Sequence, residues 1–344
     1  MSIFELPDFD GHEQVVFASD SQSGLKAIIA IHNTHRGPAM GGCRMWAYPD
    51  STAAATDALR LARGMTYKNA MAGLPIGGGK AVIIGDARTS KSPELFRALG
   101  RAIDQLGGRY ITAEDVGTSP ADMTFVREQT RYVAGLSGDL GGTGDPSPAT
   151  ALGVFVGIEA AVRHRLGVDS VNGLTVAVQG LGHVGYDLAR RLHEAGARLI
   201  VADIDRANGE RAAAQFGARI VAPDEIVDAQ ADVFAPCALG AVLNRQTLPR
   251  LKCSVVAGAA NNQLATDDIG EMLRDAGVLY APDYVINAGG IIKVCAEYLQ
   301  EPVDSVEDRV RAISGTLDEV FQMAERDGIA TSRAADTLAR ARFA

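Results

Sequence analysis

The sequence predicts an α/β protein built of two domains, and three observations carry that expectation. Apolar runs of strand length alternate with segments of helical period along the whole chain, the pattern of strands covered by helices. At 344 residues the chain exceeds one ordinary domain. From about 132 to 150 the alternation lapses, ending in "GLSGDLGGTGDPSPAT", whose Gly, Ser, Asp and Pro content marks a loop and a boundary between domains.

The elements follow in order. "LKAIIAIHNT" (25–34) is continuous enough in apolar residues to be a buried strand, and 51–70 reads as a helix. "KAVIIG" (80–85) is the next strand. The three glycines before it are expected outside any strand or helix interior, because glycine loses the most backbone entropy on folding. Ser92-Pro93 and Ser119-Pro120 each open a helix, with serine as cap and proline at the first helical position, and "YITAED" (110–115) is a strand between them. A long helix covers "ATALGVFVGIEAAVRHRLG". Val310, Ile313, Leu317, Val320 and Ala324 mark another amphipathic helix over 306–328, and "TSRAADTLARARFA" closes the chain as a short one.

Composition excludes several classes of function. A hydrophobic content of 47% with 22% charged residues is that of a globular protein with a full core, and the net charge of −9 argues against nucleic acid or an anionic membrane surface as partner. No apolar run is long enough to span a bilayer, and "MSIFELPDFDGHEQ" lacks the build of a secretory signal. Cys43, Cys237, Cys253 and Cys295 show no paired spacing, so reduced thiols are expected and no metal site is. A soluble cytoplasmic protein is the expectation.

The window 174–205, "LTVAVQGLGHVGYDLARRLHEAGARLIVADID", is the most informative. An apolar strand runs into Gly180-Leu181-Gly182-His183-Val184-Gly185, and a helical pattern begins there, which is the context a dinucleotide-binding turn requires. Gly180 permits the tight turn, Gly182 lets backbone approach a pyrophosphate, and Gly185 allows close helix–strand packing. The helix N-terminus offers free N–H groups to that pyrophosphate. Asp203, at the end of the next strand, is placed to bind ribose hydroxyls and repel a 2′-phosphate, which favours NAD over NADP; Arg206 nearby bears on how strictly.

If the phosphates bind at Gly180, Lys80 in "GLPIGGGKAVI" has another task. The stretch lacks the upstream glycine and the Ser or Thr after lysine that a phosphate loop needs. Lys68 stands twelve residues earlier. Two lysines in a partly buried pocket repel each other's charge, which drives one toward a neutral base while the other holds an anionic substrate group. "ITAEDVGTS" supplies a carboxylate for proton exchange, and spacing leaves Glu114 and Asp115 equally eligible.

With "GPAMGGCRMW", "LARGMTYKNAMAGLPIGGGKAVI", "GRYITAEDVGTSPADM", "GDPSPATALGV", "FAPCALGAVLN", "GAANNQL" and "LYAPDYVINAGGII", the chain resembles the glutamate/leucine/phenylalanine/valine dehydrogenase family over nearly its whole length, the leucine branch in particular. The resemblance implies NAD-dependent, reversible oxidative deamination of an L-amino acid. It implies that Lys68 binds the substrate carboxylate, that Lys80 is the low-pKa lysine that activates water, and that Asp115 rather than Glu114 transfers protons. It implies further that Asn262 lies near the substrate amino group and the cofactor, that Gly42 and Met65 line the cleft, and that Thr150 contacts the nicotinamide amide. It also implies an N-terminal substrate and oligomerisation domain (1–137, with 326–344 returning to it), a Rossmann domain (138–325), a cleft between them, and a homo-oligomer, whether dimer, tetramer or octamer.

Specificity in that family is set at positions matched here by Met40, Ala113, Ile291 and Val294. All are apolar, so none can pair with a distal carboxylate, and alanine at 113 points to leucine, isoleucine or valine rather than phenylalanine. Met40 and Ile291 stand where the leucine branch usually has Leu and Val; the extra methylene of Ile291 would shrink the pocket toward valine, a matter of about 1–3 kcal/mol. Lys293, two residues on, is expected to point elsewhere. A valine- or phenylalanine-preferring enzyme, or a silent NAD-binding regulator, are the rival readings; the presence of Lys68, Lys80 and Asp115 together argues against the last.

Overall fold

The computed structural model describes residues 2–136, 142, 144–238 and 240–344. They form two compact units, Met1–Asp145 with Lys293–Pro302 and Ala339–Ala344, and Pro146–Ile292 with Val303–Leu338.

The first unit is a mixed sheet covered on both faces. Its elements are β1 (Gln14–Asp20), β2 (Leu25–Asn33), β3 (Ala39–Met40), β4 (Cys43–Trp46), α1 (Ser51–Met71), β5 (Gly77–Ile84), α2 (Pro93–Asp104), β6 (Tyr110–Ile111) and α3 (Pro120–Arg127). The strand order is β1-β2-β5-β3-β6, with β4 also on β5; β2 is antiparallel to both its neighbours, β1 and β5, while β3 and β4 run parallel to β5. β2 reads as an unbroken apolar run because both its faces are buried. Ile28 and Ala30 meet Ala54, Ala58 and Leu59 of α1, and Ile29 and Ile31 share a core with Phe96, Leu99 and Val126 of α2 and α3. Ser92 and Ser119 cap α2 and α3 as expected, accepting from the amides of Leu95 and Asp122.

The glycine triplet is a correction. Gly77, Gly78 and Gly79 are the first three residues of β5, inside the sheet, and none has a positive φ. They are glycines because other atoms lie where side chains would go, backbone at Gly77 and Gly78 and the Tyr110 ring at Gly79. A Cβ on Gly77 would come within 1.9 Å of the Asn33 carbonyl oxygen, and one on Gly78 within 2.0 Å of the Thr66 amide nitrogen. The expected strand at 110–115 is shorter than the sequence suggests: only Tyr110 and Ile111 pair as β6, and beyond them the chain makes isolated bridges at Thr112 and Glu114 before turning away.

The second unit contains α4 (Ser147–Leu166), β7 (Thr175–Gln179), α5 (His183–Glu194), β8 (Arg198–Ala202), α6 (Arg206–Phe216), β9 (Arg219–Ile220), β10 (Val233–Pro236), β11 (Val255–Val256), α7 (Asp268–Asp275), β12 (Leu279–Tyr280) and α8 (Asp283–Ile286). The described strands form one parallel sheet in the order β12-β11-β10-β7-β8-β9, a doubly wound sheet whose order reverses between β7 and β10. Four helices follow: α9 (Gly289–Leu299), α10 (Val303–Arg311), α11 (Ile313–Asp327) and α12 (Thr331–Phe343). The single helix expected over 306–328 is two, interrupted at Ala312, just before the weak helix formers Ser314 and Gly315.

The unit limits differ from the expected division. The first unit extends to Asp145 and takes in Lys293–Pro302, and of the last residues only Ala339–Ala344 belong to it. Side-chain bonds account for this. Glu297 accepts from the amides of Gly135 and Leu136 at 2.9 and 3.2 Å, and Arg342 donates to the Met71 carbonyl at 3.0 Å. Earlier in α12, by contrast, Asp336 accepts from Tyr284 and Thr331 donates to the Tyr280 carbonyl, both within the second unit.

Candidate active site

Lys80 is the fourth residue of β5 and 5% exposed. By strand alternation it faces α1, as Gly78 and Val82 do. Its Nζ lies 2.7 Å from Oδ2 of Asp115. Asp115 is delivered by the turn that ends the β6 segment: its amide donates to Oγ1 of Thr118 at 2.9 Å, and that hydroxyl donates to the Cys43 carbonyl at 2.8 Å. Gly117 holds the turn at φ 81°. Gly42 lies directly against it, since a Cβ there would sit 2.4 Å from the Glu114 carbonyl oxygen and 2.9 Å from Cβ of Asp115.

A second cation shares the same carboxylate oxygen. Arg44, on β4, places Nε 3.2 Å from Oδ2 of Asp115 and Nη1 3.0 Å from Oδ2 of Asp57 on α1. Asp57 also accepts from the Tyr48 hydroxyl at 2.6 Å and from Arg60 at 2.8 Å. Burial would push the Asp115 carboxyl up, but Lys80, Arg44 and the hydrogen bonds from Lys80 and the Val116 amide outweigh it and bring it down to about 2. Glu114 goes the other way, raised by burial and by the carboxylates of Asp145, Asp115 and Asp122. The partner of Lys80 is therefore Asp115.

Other expected substrate residues of the first unit stand on elements adjoining β5 or in the segment that leads to Asp115. Met40 on β3 is fully buried and Ala113 is 7% exposed. Met65 and Lys68, one turn apart on α1, are half-buried, and Cγ of Met65 lies 3.0 Å from where a Cβ of Gly41 would be. Asn69, completely buried, donates through Nδ2 to the carbonyls of Gly77 at 2.6 Å and Met40 at 3.3 Å, tying β3 and β5 to α1. Val294, on α9, belongs to this unit, whereas Ile291 falls in the second. Lys293 is engaged elsewhere, donating to the Asp145 carbonyl at 2.7 Å. Arg44 and Asn69 were missed by sequence reasoning although both stand inside the motifs quoted above.

In the second unit the turn after β7 has the build expected of it. Gly180 sits at φ 91°, and a Cβ on Gly185 would lie 2.0 Å from the Gly180 carbonyl oxygen. Gly182 is the N-cap of α5 and supplies no capping side chain; no atom comes within 4 Å of where its Cβ would be, so the helix N-terminus is open over it. Leu181 is buried, while His183 is exposed and Val184 half-buried at the start of α5. Asp203, just past β8, accepts from the Leu181 amide at 2.6 Å and the Asp205 amide at 2.8 Å. It therefore holds the glycine turn itself, and its lone pairs can still accept from a ribose. An open glycine at an uncapped helix end, with a carboxylate on the neighbouring strand, fits a dinucleotide. Arg206 is 89% exposed and pairs with Glu210.

Asn262 is exposed and adopts φ 52°, a left-handed conformation rare outside glycine. Its loop is held from behind. Gln263, fully buried, donates to the carbonyls of Gly258 and Ala260 at 2.8 and 3.0 Å, and Asn287 donates to Asn261 at 2.8 Å. Thr150, in the first turn of α4, lies 2.9 Å from where a Cβ of Gly290 would be and donates to the Pro146 carbonyl at 3.2 Å. No group of side chains able to hold a metal ion occurs among the described residues, and no described helix is long and apolar enough to cross a membrane.

Comparison with known proteins finds relatives along the whole chain. Residues 12–132 match the Glu/Leu/Phe/Val dehydrogenase dimerisation domain. Residues 141–209 and 200–343 match the Glutamate/Leucine/Phenylalanine/Valine dehydrogenase domain. A leucine dehydrogenase of Thermoactinomyces intermedius is 54% identical over 343 residues, covering 100% of this chain and 94% of that one. A phenylalanine dehydrogenase of Caldalkalibacillus thermarum is 45% identical with the same coverage. The crystal structure of L-tryptophan dehydrogenase from Nostoc punctiforme superposes with a TM-score of 0.87 at 47% identity, covering 97% of this chain and 96% of that one.

Proposed function

This chain belongs to the glutamate/leucine/phenylalanine/valine dehydrogenase family, enzymes that use a nicotinamide cofactor, and on that premise we propose that it carries out the NAD-dependent, reversible oxidative deamination of a branched-chain aliphatic L-amino acid, leucine foremost. The carrying observation is the pairing of buried Lys80 with partly exposed Asp115 at 2.7 Å, in the unit that also buries Met40 and Ala113. The preference for NAD rests on Asp203, whose charge opposes a 2′-phosphate.

The nicotinamide, when bound, supplies the hydride acceptor for the substrate Cα. The chain's own residues do the rest. Lys68 neutralises the substrate carboxylate and Asn262 orients its amino group. Loss of hydride leaves an iminium carbon; Lys80, once neutral, takes a proton from the water that adds to it. Asp115 then passes that proton from Lys80 to the departing nitrogen, Lys80 takes the proton of the new hydroxyl as the carbonyl forms, ammonia leaves, and the 2-oxo acid remains. An aliphatic side chain suits a pocket wall of Met and Ala, where a distal carboxylate would be buried without a partner. Assembly as a homo-oligomer through the first unit is part of the same reading, supported by the dimerisation-domain match.

The test is NADH formation from NAD with leucine, isoleucine, valine, phenylalanine, tryptophan and glutamate at alkaline pH, with Lys80→Ala as control. Activity on the three aliphatic substrates, reduced by at least ~10³ in the control, is expected. Turnover of the aromatic substrates alone would keep the chemistry and refute the reading of Ala113.

A further inference from the structure

We propose that Arg44 is a positioning residue for this reaction: seated on the carboxylate oxygen that pairs with Lys80, it sets the pH at which Lys80 becomes a base. The inference rests on the deamination reading above and adds a residue to it.

The charges alternate along one connected line: Lys80, Asp115, Arg44, Asp57, Arg60. With Lys80 alone on Asp115, a proton lost from the lysine would strand a largely buried carboxylate without a counter-charge, which is costly. Arg44 removes that difficulty. Its guanidinium does not titrate in proteins, so Asp115 keeps one cation after the lysine turns neutral. The second cation that sequence reasoning sought in Lys68 is thus present on β4, on the same oxygen.

The other groups facing the pair give no substitute. Cys43, Tyr48 and Tyr110 stay neutral, their acidities weakened by burial. Glu114 is an acid, and its charge would help Lys80 keep its proton. Around Arg44 itself stand Asp57, Tyr48 and Asp115. Because Nζ of Lys80 and Nε of Arg44 approach one oxygen at 2.7 and 3.2 Å, the two cations are within about 6 Å of each other.

The signs follow. Removing the Arg44 charge lets Lys80 hold its proton to higher pH, so the rising limb of kcat/KM moves up by about one pH unit, a figure reduced for partial exposure. Arg44→Lys, which keeps a charge without the fork, recovers part of that shift. Asp57→Asn removes the anion that offsets Arg44 and moves the limb down.

The experiment compares wild type, Arg44→Gln, Arg44→Lys and Asp57→Asn. One readout is the kcat/KM profile with leucine and NAD. The other needs no substrate: the lysines are reductively methylated with ¹³C-formaldehyde, and the Lys80 resonance, assigned by its loss in Lys80→Ala, is titrated by NMR. A protein inactive on every amino acid would defeat the deamination reading while the titration still reports on Arg44. Upward shifts in Arg44→Gln, partial recovery in Arg44→Lys and a downward shift in Asp57→Asn are expected in both readouts. A Lys80 midpoint moved by less than about 0.2 pH unit in Arg44→Gln overturns the proposal. So does equal loss of activity in both Arg44 variants with an unshifted titration. If Arg44→Gln does not fold, the absence of a downward shift in Asp57→Asn overturns it instead.

Discussion

Replacing Gly78 by alanine separates the two explanations of the glycine triplet. If these glycines supply loop flexibility, one added methyl costs little and even stabilises by restricting the unfolded chain. The structure requires the opposite. The methyl would lie 2.0 Å from the Thr66 amide nitrogen, 2.2 Å from its hydroxyl and 2.4 Å from its Cα. Most of those atoms are helix backbone, so no rotamer change relieves the clash, and contact distances near 3.4 Å are reached only if α1 and β5 move apart by more than about 1 Å. β5 cannot retreat, for β2, β3 and β4 all pair with it. Overpacking costs about 1–3 kcal/mol where side chains can adjust. With backbone displaced and the Asn69 bonds to Gly77 and Met40 stretched, each worth about 1 kcal/mol, the loss should be at least ~3 kcal/mol.

The internal control is Gly64→Ala, on the exposed side of α1. Nothing lies within 4 Å of its would-be Cβ, and its helical conformation suits alanine, so it should stabilise by about 0.5–1 kcal/mol. Urea unfolding of both variants gives the stabilities, and kcat gives the consequence for Lys80, two residues further on the same face of β5, where a 1 Å displacement costs on the order of 10²-fold. A Gly78→Ala protein within about 0.5 kcal/mol of wild type would refute the close-approach argument.

Two further outcomes are expected. His32 is 5% exposed, bonded to Thr66 at 2.8 Å, and brought down to about 4 by burial and by His12, against the pull of Asp10. Its stabilising contribution is whole above pH ~6.5, where both folded and unfolded forms are neutral, and is lost as pH falls through 6.5 toward 4, about 3 kcal/mol in all. The urea midpoint should therefore drop across that window, and His32→Gln should flatten the drop; an equally steep drop in the variant would refute this. Asp203→Asn keeps the shape of the side chain that holds Leu181 but removes the charge, and should raise the preference for NADP relative to NAD on the order of tenfold, read as the ratio of cofactor dissociation constants by NADH and NADPH fluorescence. An unchanged ratio would mean that this carboxylate serves the turn alone.

What could be read from sequence was what neighbouring residues decide. The Ser-Pro starts of α2 and α3, the apolar run of β2 and the Gly180–Gly185 turn each depend on residues a few positions apart, and each formed where the pattern placed it. The parts that were not legible depend on distant partners. Arg44 gains its meaning from Asp57 and Asp115, 13 and 71 positions away, and "CRMW" by itself is an alternating strand with one polar residue. Asn69 is similar: an amide in a helix of ordinary composition, important because two carbonyls of the sheet reach it. The glycine triplet shows why local reasoning fails in a definite direction. Entropy counted residue by residue makes three glycines the worst strand in the chain. Counted with the packing, each is needed: Gly78 lets the backbone of α1 lie against β5, Gly77 leaves room for the Asn33 carbonyl, and Gly79 leaves room for the Tyr110 ring. A sequence can announce such a site by the residues that break a local rule, because only a tertiary requirement could keep them there.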